Sequence, residues 1–250
     1  MKDRLTLRQR LNNEKMAGLI CVSPFIIGFL MFMLVPMAIS LYYAFCDYDI
    51  LSPARFTGWK NIKRMLADET FYQTLKVTFK FALISVPLRL VFALVVALML
   101  FRSTKVTGVY RALYYLPSII GGSVAVAILW KRLFASNGLI NGLLLSMGII
   151  DKEVLWLGST KTALWTLIIL AVWQFGSSML IFLAALKQIP TSLYEAARVD
   201  GANGWQQFWK ITLKLLTPNI HFNLIIQMIN GFLAFTQCLI ITQGKPMNST

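Results

Sequence analysis

Five carboxamides recur near the end of the chain: Asn219, Asn223, Gln227, Asn230 and Gln237. At about 100° per residue they fall within roughly 80° on a helical wheel, with the small Ala234 among them. A carboxamide carries donor and acceptor on one uncharged group, so such a stripe can exchange hydrogen bonds with a solute rich in hydroxyls. The same stripe could instead join helices, where each contact is worth about 0.6 kcal/mol. Both roles require that it face protein or water, because lipid would leave the amides unsatisfied at several kcal/mol each. Arg89 is the only charge set well inside an apolar run. Its cost is at least a few kcal/mol unless it is paired, hydrated or snorkelling. Pro87 just before it could loosen the helix and offer carbonyls. Arg89 either lines a path or reaches outward, with Lys76 and Lys80 marking an interfacial entry helix. His221, the single histidine, lies opposite the amide stripe and suits neither a proton relay nor a metal site. No nucleophile–base pair, carboxylate pair or phosphate-binding Gly-Lys-Ser loop is present. No catalytic residue, metal or cofactor is expected, and the chain cannot hydrolyse ATP by itself.

The elements that would position these groups are membrane spans. The 250 residues are 57% hydrophobic and only 14% charged, against about 25% charged in soluble proteins. Apolar runs of about 20 residues lie within Ala17–Phe45, Phe81–Phe101, Ala112–Trp130, Ala163–Leu186 and Ile220–Ile241. They are apolar nearly all round, unlike the amphipathic helices of a soluble core. The expected fold is an all-α polytopic membrane protein with five spans. Trp130, Trp156, Trp165 and Tyr42 read as interfacial aromatics. Cys21, Cys46 and Cys238 have no paired spacing.

Basic residues set the orientation. Lys2, Arg4, Arg8, Arg10, Lys15, Arg102, Lys105, Arg111, Lys187, Arg198, Lys210 and Lys214 fall on one side, with only Asp3, Glu14, Glu195 and Asp200 as acids. The other side holds Asp47, Asp49, Asp68, Glu69, Asp151 and Glu153, six acids that largely offset its basic residues. The first side is expected to be cytoplasmic, with residues 1–16 a basic cytoplasmic N-terminus and the first run an uncleaved span in the plasma membrane. The net charge of +14 is explained by this anchoring next to lipid, without nucleic acid.

One polar island, within a loop over 188–217, separates the last two runs. Pro190 bars helix continuation, and Ser192 with Glu195 reads as a Ser-x-x-Glu capping box. Gly201 is a natural C-cap, giving a helix of about eight residues, roughly 12 Å long. Asn203 with Gln206 starts a second helix, which Pro218 is expected to interrupt. Ala196-Ala197 leaves a smooth patch against which another protein can pack closely.

Glu195-Ala196-Ala197, three residues, Gly201, then Ile211-Thr-Leu213 resembles the cytoplasmic loop of the permease subunits of ATP-binding-cassette importers. Lys214 stands where that family has Pro. Phe56-Thr-Gly58-Trp-Lys-Asn61, Arg111-Ala-Leu-Tyr-Tyr-Leu-Pro117 and Trp173-Gln174-Phe175-Gly176 are similar to elements of the maltose-type carbohydrate branch. The resemblance covers residues from about 17 to 250, the transmembrane permease domain. It implies a subunit forming half of a sugar pathway, with Tyr194, Glu195, Ala196, Ala197, Asp200, Gly201 and Ala202 coupling to a cytoplasmic ATPase. It further implies a second permease subunit and an extracellular solute-binding protein; if the amide stripe and Arg89 take the pathway role their placement allows, the sugar passes Asn223, Gln227, Asn230, Gln237 and Arg89. Thr242 to Thr250 resembles the turn before a sixth span, so the complete subunit is expected to have six. The alternative, an ion-coupled secondary transporter, calls for an intramembrane Asp or Glu, and no span core holds one.

Overall fold

Long apolar runs become the longest helices of the structure, a computed structural model that describes residues 14–49, 51–101, 107–244 and 246. Lys2, Arg4, Arg8, Arg10, Arg102, Lys105, Lys245 and residues 247–250 lie outside the described residues. The chain divides into two units, residues 1–71 and 72–250.

In the first unit, helix α1 (Glu14–Phe29) passes through a π-helical turn (Leu30–Leu34) into α2 (Val35–Tyr43). The widened turn lies where Pro36 lacks an N–H and its ring crowds the carbonyl four residues back, at Phe32. Met16–Tyr43 is long and apolar enough to cross a membrane, and Phe25 and Phe32 are exposed. A short hairpin follows, β1 (Cys46–Asp47) pairing antiparallel with β2 (Arg55–Phe56), then α3 (Lys60–Leu66). The Phe56-to-Asn61 element closes this hairpin. Gly58 turns at φ 62°, and Asn61 Nδ2 donates to the carbonyls of Ala44 (3.2 Å) and Cys46 (2.8 Å).

The second unit is organised on α4 (Glu69–Phe101), a 33-residue helix that is also long and apolar enough to span. It is followed by α5 (Thr107–Ile120), α6 (Val124–Leu133), α7 (Leu139–Ser146), α8 (Ala163–Trp173), α9 (Gly176–Lys187), α10 (Thr191–Val199), α11 (Gly204–Gln207), α12 (Leu213–Phe232) and α13 (Thr236–Ile241). One apolar cluster joins Leu90 and Ala97 of α4 to Phe182 and Leu186 of α9 and Leu216 of α12. A second joins Phe81 of α4 to Trp130 of α6, Ile168 of α8 and Ile241 of α13. Small residues let the backbones approach, as expected where lipid removes the hydrophobic drive for helix association.

Three expected spans differ from straight crossings. The third, within Ala112–Trp130, is two helices bent by 98° at Gly121–Ser123. With 14 and 10 residues, the pair reaches only about 24 Å end to end, short of a hydrocarbon core of about 30 Å. The fourth is bent by 41° between α8 and α9, which leaves a reach of about 32 Å, long enough to cross. The fifth ends at Phe232 and resumes as α13, because Leu233 and Ala234 close a tight turn onto the Ile229 and Gly231 carbonyls. Among the described residues, two helices, or up to four spans if each bent pair counts as one, are apolar and long enough to cross. The expected count of five is therefore not read directly from the helices. Pro218 lies inside α12 without interrupting it. A π-helical turn (Phe208–Thr212) precedes α12, and Thr217 Oγ1 donates to the Leu213 carbonyl (3.0 Å). Local widening and side-chain hydrogen bonds of this kind let membrane helices keep a proline.

Two tryptophans assigned to an interfacial belt are structural instead. Trp130 is buried, and its indole donates to the Thr166 carbonyl (3.0 Å). The Trp156 indole donates to Asn141 Oδ1 (2.8 Å), while Asn141 Nδ2 donates to the carbonyls of Ser136 and Val154. Asn141, unremarked in the sequence, organises the loop before α8.

Candidate functional site

The polar island folds as a short helix held from both ends. Pro190, at φ −60° and ψ 131°, is the residue before α10, and Thr191 is its first helical residue. The expected Ser192–Glu195 capping box is absent, and no side chain caps this helix start. A capping residue needs a non-helical backbone. Proline supplies that one turn position earlier, which puts Ser192 inside the helix. The C-terminal end follows the expectation. Gly201 stands at φ 77°, its N–H bonded to the Arg198 carbonyl (3.0 Å), and the Ala202 N–H bonds the Ala197 carbonyl (2.8 Å). Both bonds of a Schellman cap are thus made.

The chain restarts at once. The Asn203 side chain accepts from the Gln206 N–H (2.9 Å) and the Gln206 side chain accepts from the Asn203 N–H (3.0 Å), a reciprocal capping box. Gln207 Nε2 donates to the Ala202 carbonyl (2.9 Å). Tyr194 OH and Thr212 Oγ1 share a hydrogen bond of 2.9 Å, with Thr212 buried. Tyr194 thus braces α10 against the returning chain, and Thr212 is a positioning residue that sequence reasoning missed. On the outer face Glu195, Ala196, Leu193 and Val199 are exposed, Val199 at 88%. Ala197 is half-buried beside Gly201, on the rim of a cavity of about 390 Å³ that Asp200, Ala202 and Lys210 also line. Val199, three residues beyond Ala196, was legible from helical spacing but was not singled out.

The amide stripe separates into parts. Gln227 is buried and its Nε2 donates to Ser178 Oγ of α9 (3.0 Å). Asn223 is fully buried, and neither its Nδ2 nor its Oδ1 has a partner among the described residues. Asn230 is exposed and Asn219 half-buried. Gln237 does not continue the stripe, because the helix breaks at 233–235. Its Nε2 donates instead to the Gly121 carbonyl, at the α5–α6 bend.

Arg89 serves the other bend. It donates from Nη2 to the Gln174 carbonyl, where α8 ends, and Ser118 Oγ donates to the same carbonyl (2.9 Å). Ser118 Oγ accepts in turn from the Ser177 N–H (3.0 Å). Gly176 brings α9 against α5: a Cβ there would stand 2.7 Å from Tyr115 Cα. Gly121 admits the Gln174 side chain, whose Cδ would lie 2.5 Å from a Cβ at that position. Each bend frees a carbonyl, and each carbonyl is satisfied by a side chain from another element, as a low-dielectric interior demands.

Residues 89–250 match the family described as the binding-protein-dependent transport system inner membrane component. The chain is 51% identical to the probable ABC transporter permease protein YesP of Bacillus subtilis, over 99% of this chain and 81% of that protein. It is 32% identical to the trehalose/maltose transport system permease protein MalF of Thermococcus litoralis, over 100% of this chain and 84% of that protein. It superposes with a TM-score of 0.78 and 26% identity on a chain of a bacterial ABC transporter involved in the import of the acidic polysaccharide alginate, covering 97% of this chain and 82% of the other.

Proposed function

The chain belongs to the binding-protein-dependent transport system inner membrane component family, and from that premise we propose how its parts divide the work of a sugar importer. It is a multi-pass membrane permease subunit and not an enzyme; a separate subunit hydrolyses ATP. The family leaves the ion-coupled alternative without support. Relatives named for trehalose/maltose, lactose and starch products favour a saccharide as the solute. This chain forms half of the pathway, and a second permease subunit supplies the rest.

The coupling device is α10, with the basic loops and N-terminus on the cytoplasmic side. The observation that carries this is its double anchoring: a complete Schellman cap at Gly201 and the Tyr194–Thr212 brace. A helix fixed at its end and at its middle transmits displacement as a lever, whereas a loose connector absorbs it. Exposed Glu195, Ala196 and Val199 form the face toward the ATPase, and Ala197, Asp200 and Ala202 shape the notch beside it. A solute-binding protein delivers sugar on the opposite side; a relative's structure was solved with a periplasmic protein carrying an alginate pentasaccharide. On the membrane path, Asn230 is the exposed amide placed to meet solute.

Ala197→Arg tests the coupling. A bulky cation cannot enter a closely packed notch, so sugar-stimulated ATP hydrolysis and uptake should be lost while the protein still inserts. Normal uptake together with normal co-purification of the ATPase would remove α10 from the coupling role.

A further inference from the structure

We propose that Arg89 selects for a sugar carrying a carboxylate, so that the solute of this permease is a uronate-containing oligosaccharide. The inference rests on the saccharide-importer reading and adds the charge of the cargo. Arg89 lies deep, since 12 residues, about 18 Å of helix, separate it from Phe101 at the end of α4. No aspartate or glutamate occurs in 70–150, 154–194 or 201–250. The guanidinium therefore has no counter-charge from the membrane segments of this chain.

At the Arg89–Gln174 node the unpartnered buried side-chain atoms are donors. Arginine brings five N–H donors and no acceptor. The two carbonyls freed by the helix bends are already used: Gln174 accepts from Arg89 and Ser118, and Gly121 accepts from Gln237. Two buried donors of the same node, Arg89 Nε and Gln174 Nε2, have no partner among the described residues. A neutral hydroxyl answers such a site poorly, because it brings a donor with its acceptors. A carboxylate brings acceptors alone, supplies the missing charge, and matches the planar guanidinium. The guanidinium is held on the Gln174 carbonyl at the α8–α9 bend, which Ser118 Oγ of α5 shares.

The test uses the complete transporter, with partner permease, ATPase and binding protein, in proteoliposomes. Trisaccharides to pentasaccharides of galacturonate and mannuronate are offered alongside their carboxyl-reduced neutral counterparts. An acidic member should reach half-maximal uptake at a concentration roughly ten- to a hundredfold below its neutral counterpart, the size of one charge-assisted hydrogen bond. Arg89→Gln keeps an N–H for the Gln174 carbonyl but removes the charge. It should erase the preference through KM, with the same binding protein present throughout. Should that variant fail to co-purify with its partners, Arg89→Lys replaces it and must show a smaller preference of the same sign. Equal handling of both forms, carriage of the neutral form alone, or a preference that survives in Arg89→Gln would overturn the proposal and leave sugar import standing. Carriage of neither form would overturn the proposal too, and only a failure to carry any saccharide, maltose and lactose included, would strike the importer reading.

Discussion

Gly201 turns the chain at φ 77°, and nothing lies within 4 Å of where a Cβ would project. Any penalty for a side chain there is conformational, about 1–3 kcal/mol for a β-branched residue. Gly201→Val should leave membrane insertion intact but abolish the stimulation of ATP hydrolysis by solute. Gly201→Asn, which tolerates the left-handed region, should retain most of it. Equal loss in both variants would show that the glycine serves contact space and not backbone geometry. The amides can be separated by the same logic. Gln227 is spent on Ser178, so Gln227→Leu should lower the thermal midpoint of the assembled complex, by about 0.6 kcal/mol of stability, at unchanged half-saturating solute. Asn230 is exposed, and Asn230→Leu should raise that concentration with assembly unchanged. The opposite pattern in uptake titrations would return Gln227 to the pathway.

Among the elements, the packing of α5 on α9 depends on Gly176. A Cβ there would meet backbone, Tyr115 Cα at 2.7 Å, and backbone cannot swing aside as a flexible side chain does. Gly176→Ala should cost about 1–3 kcal/mol by overpacking, read as a lower unfolding midpoint of the purified complex. Gly142→Ala, in open space on α7, should be neutral or slightly stabilising. An unchanged midpoint for Gly176→Ala would mean that the two helices are free to part. Much of this level was legible in the sequence. Pro190 and Gly201 bounded α10 within a residue, and uninterrupted apolar runs marked α1–α2 and α4. The bends were not legible, because what permits them is tertiary. Gly121 and Gln174 can leave their helices only if Gln237 and Arg89, more than 80 residues distant, take up the freed carbonyls. The capping box at Ser192 misled for a local reason, since the adjacent proline started the helix first. The stripe misled because a fixed 100° period was carried past Phe232, where the helix ends.

For the molecule as a transporter, the bends raise a question of parity. Pair α8–α9 reaches about 32 Å, long enough for one crossing, and joins the loop of Asp151, Lys152 and Glu153 to the basic loop at Lys187 and Arg198, which as a single span would put those two loops on opposite faces. The α5–α6 pair reaches only about 24 Å, which by length alone would suit a re-entrant excursion. Charge argues otherwise. Arg102, Lys105 and Arg111 before the bend have no acid beside them, as on the coupling-loop side, whereas after it Asp151 and Glu153 offset two of the four basic residues Lys131, Arg132, Lys152 and Lys161. One crossing between residues 108 and 152 reconciles the two, with α5 covering most of the core and the 134–162 segment completing it at the outer face. After the native Cys21, Cys46 and Cys238 are replaced, single cysteines at Gly108, Lys152 and Ser192 test this in intact cells with a membrane-impermeant maleimide. Only the cysteine at 152 should react before permeabilisation, and those at 108 and 192 only afterwards. Matching reactivity at 108 and 152 would make α5–α6 re-entrant. The net basic charge around residue 111 would then lie outside, against the charge asymmetry that orients every other loop of the unit.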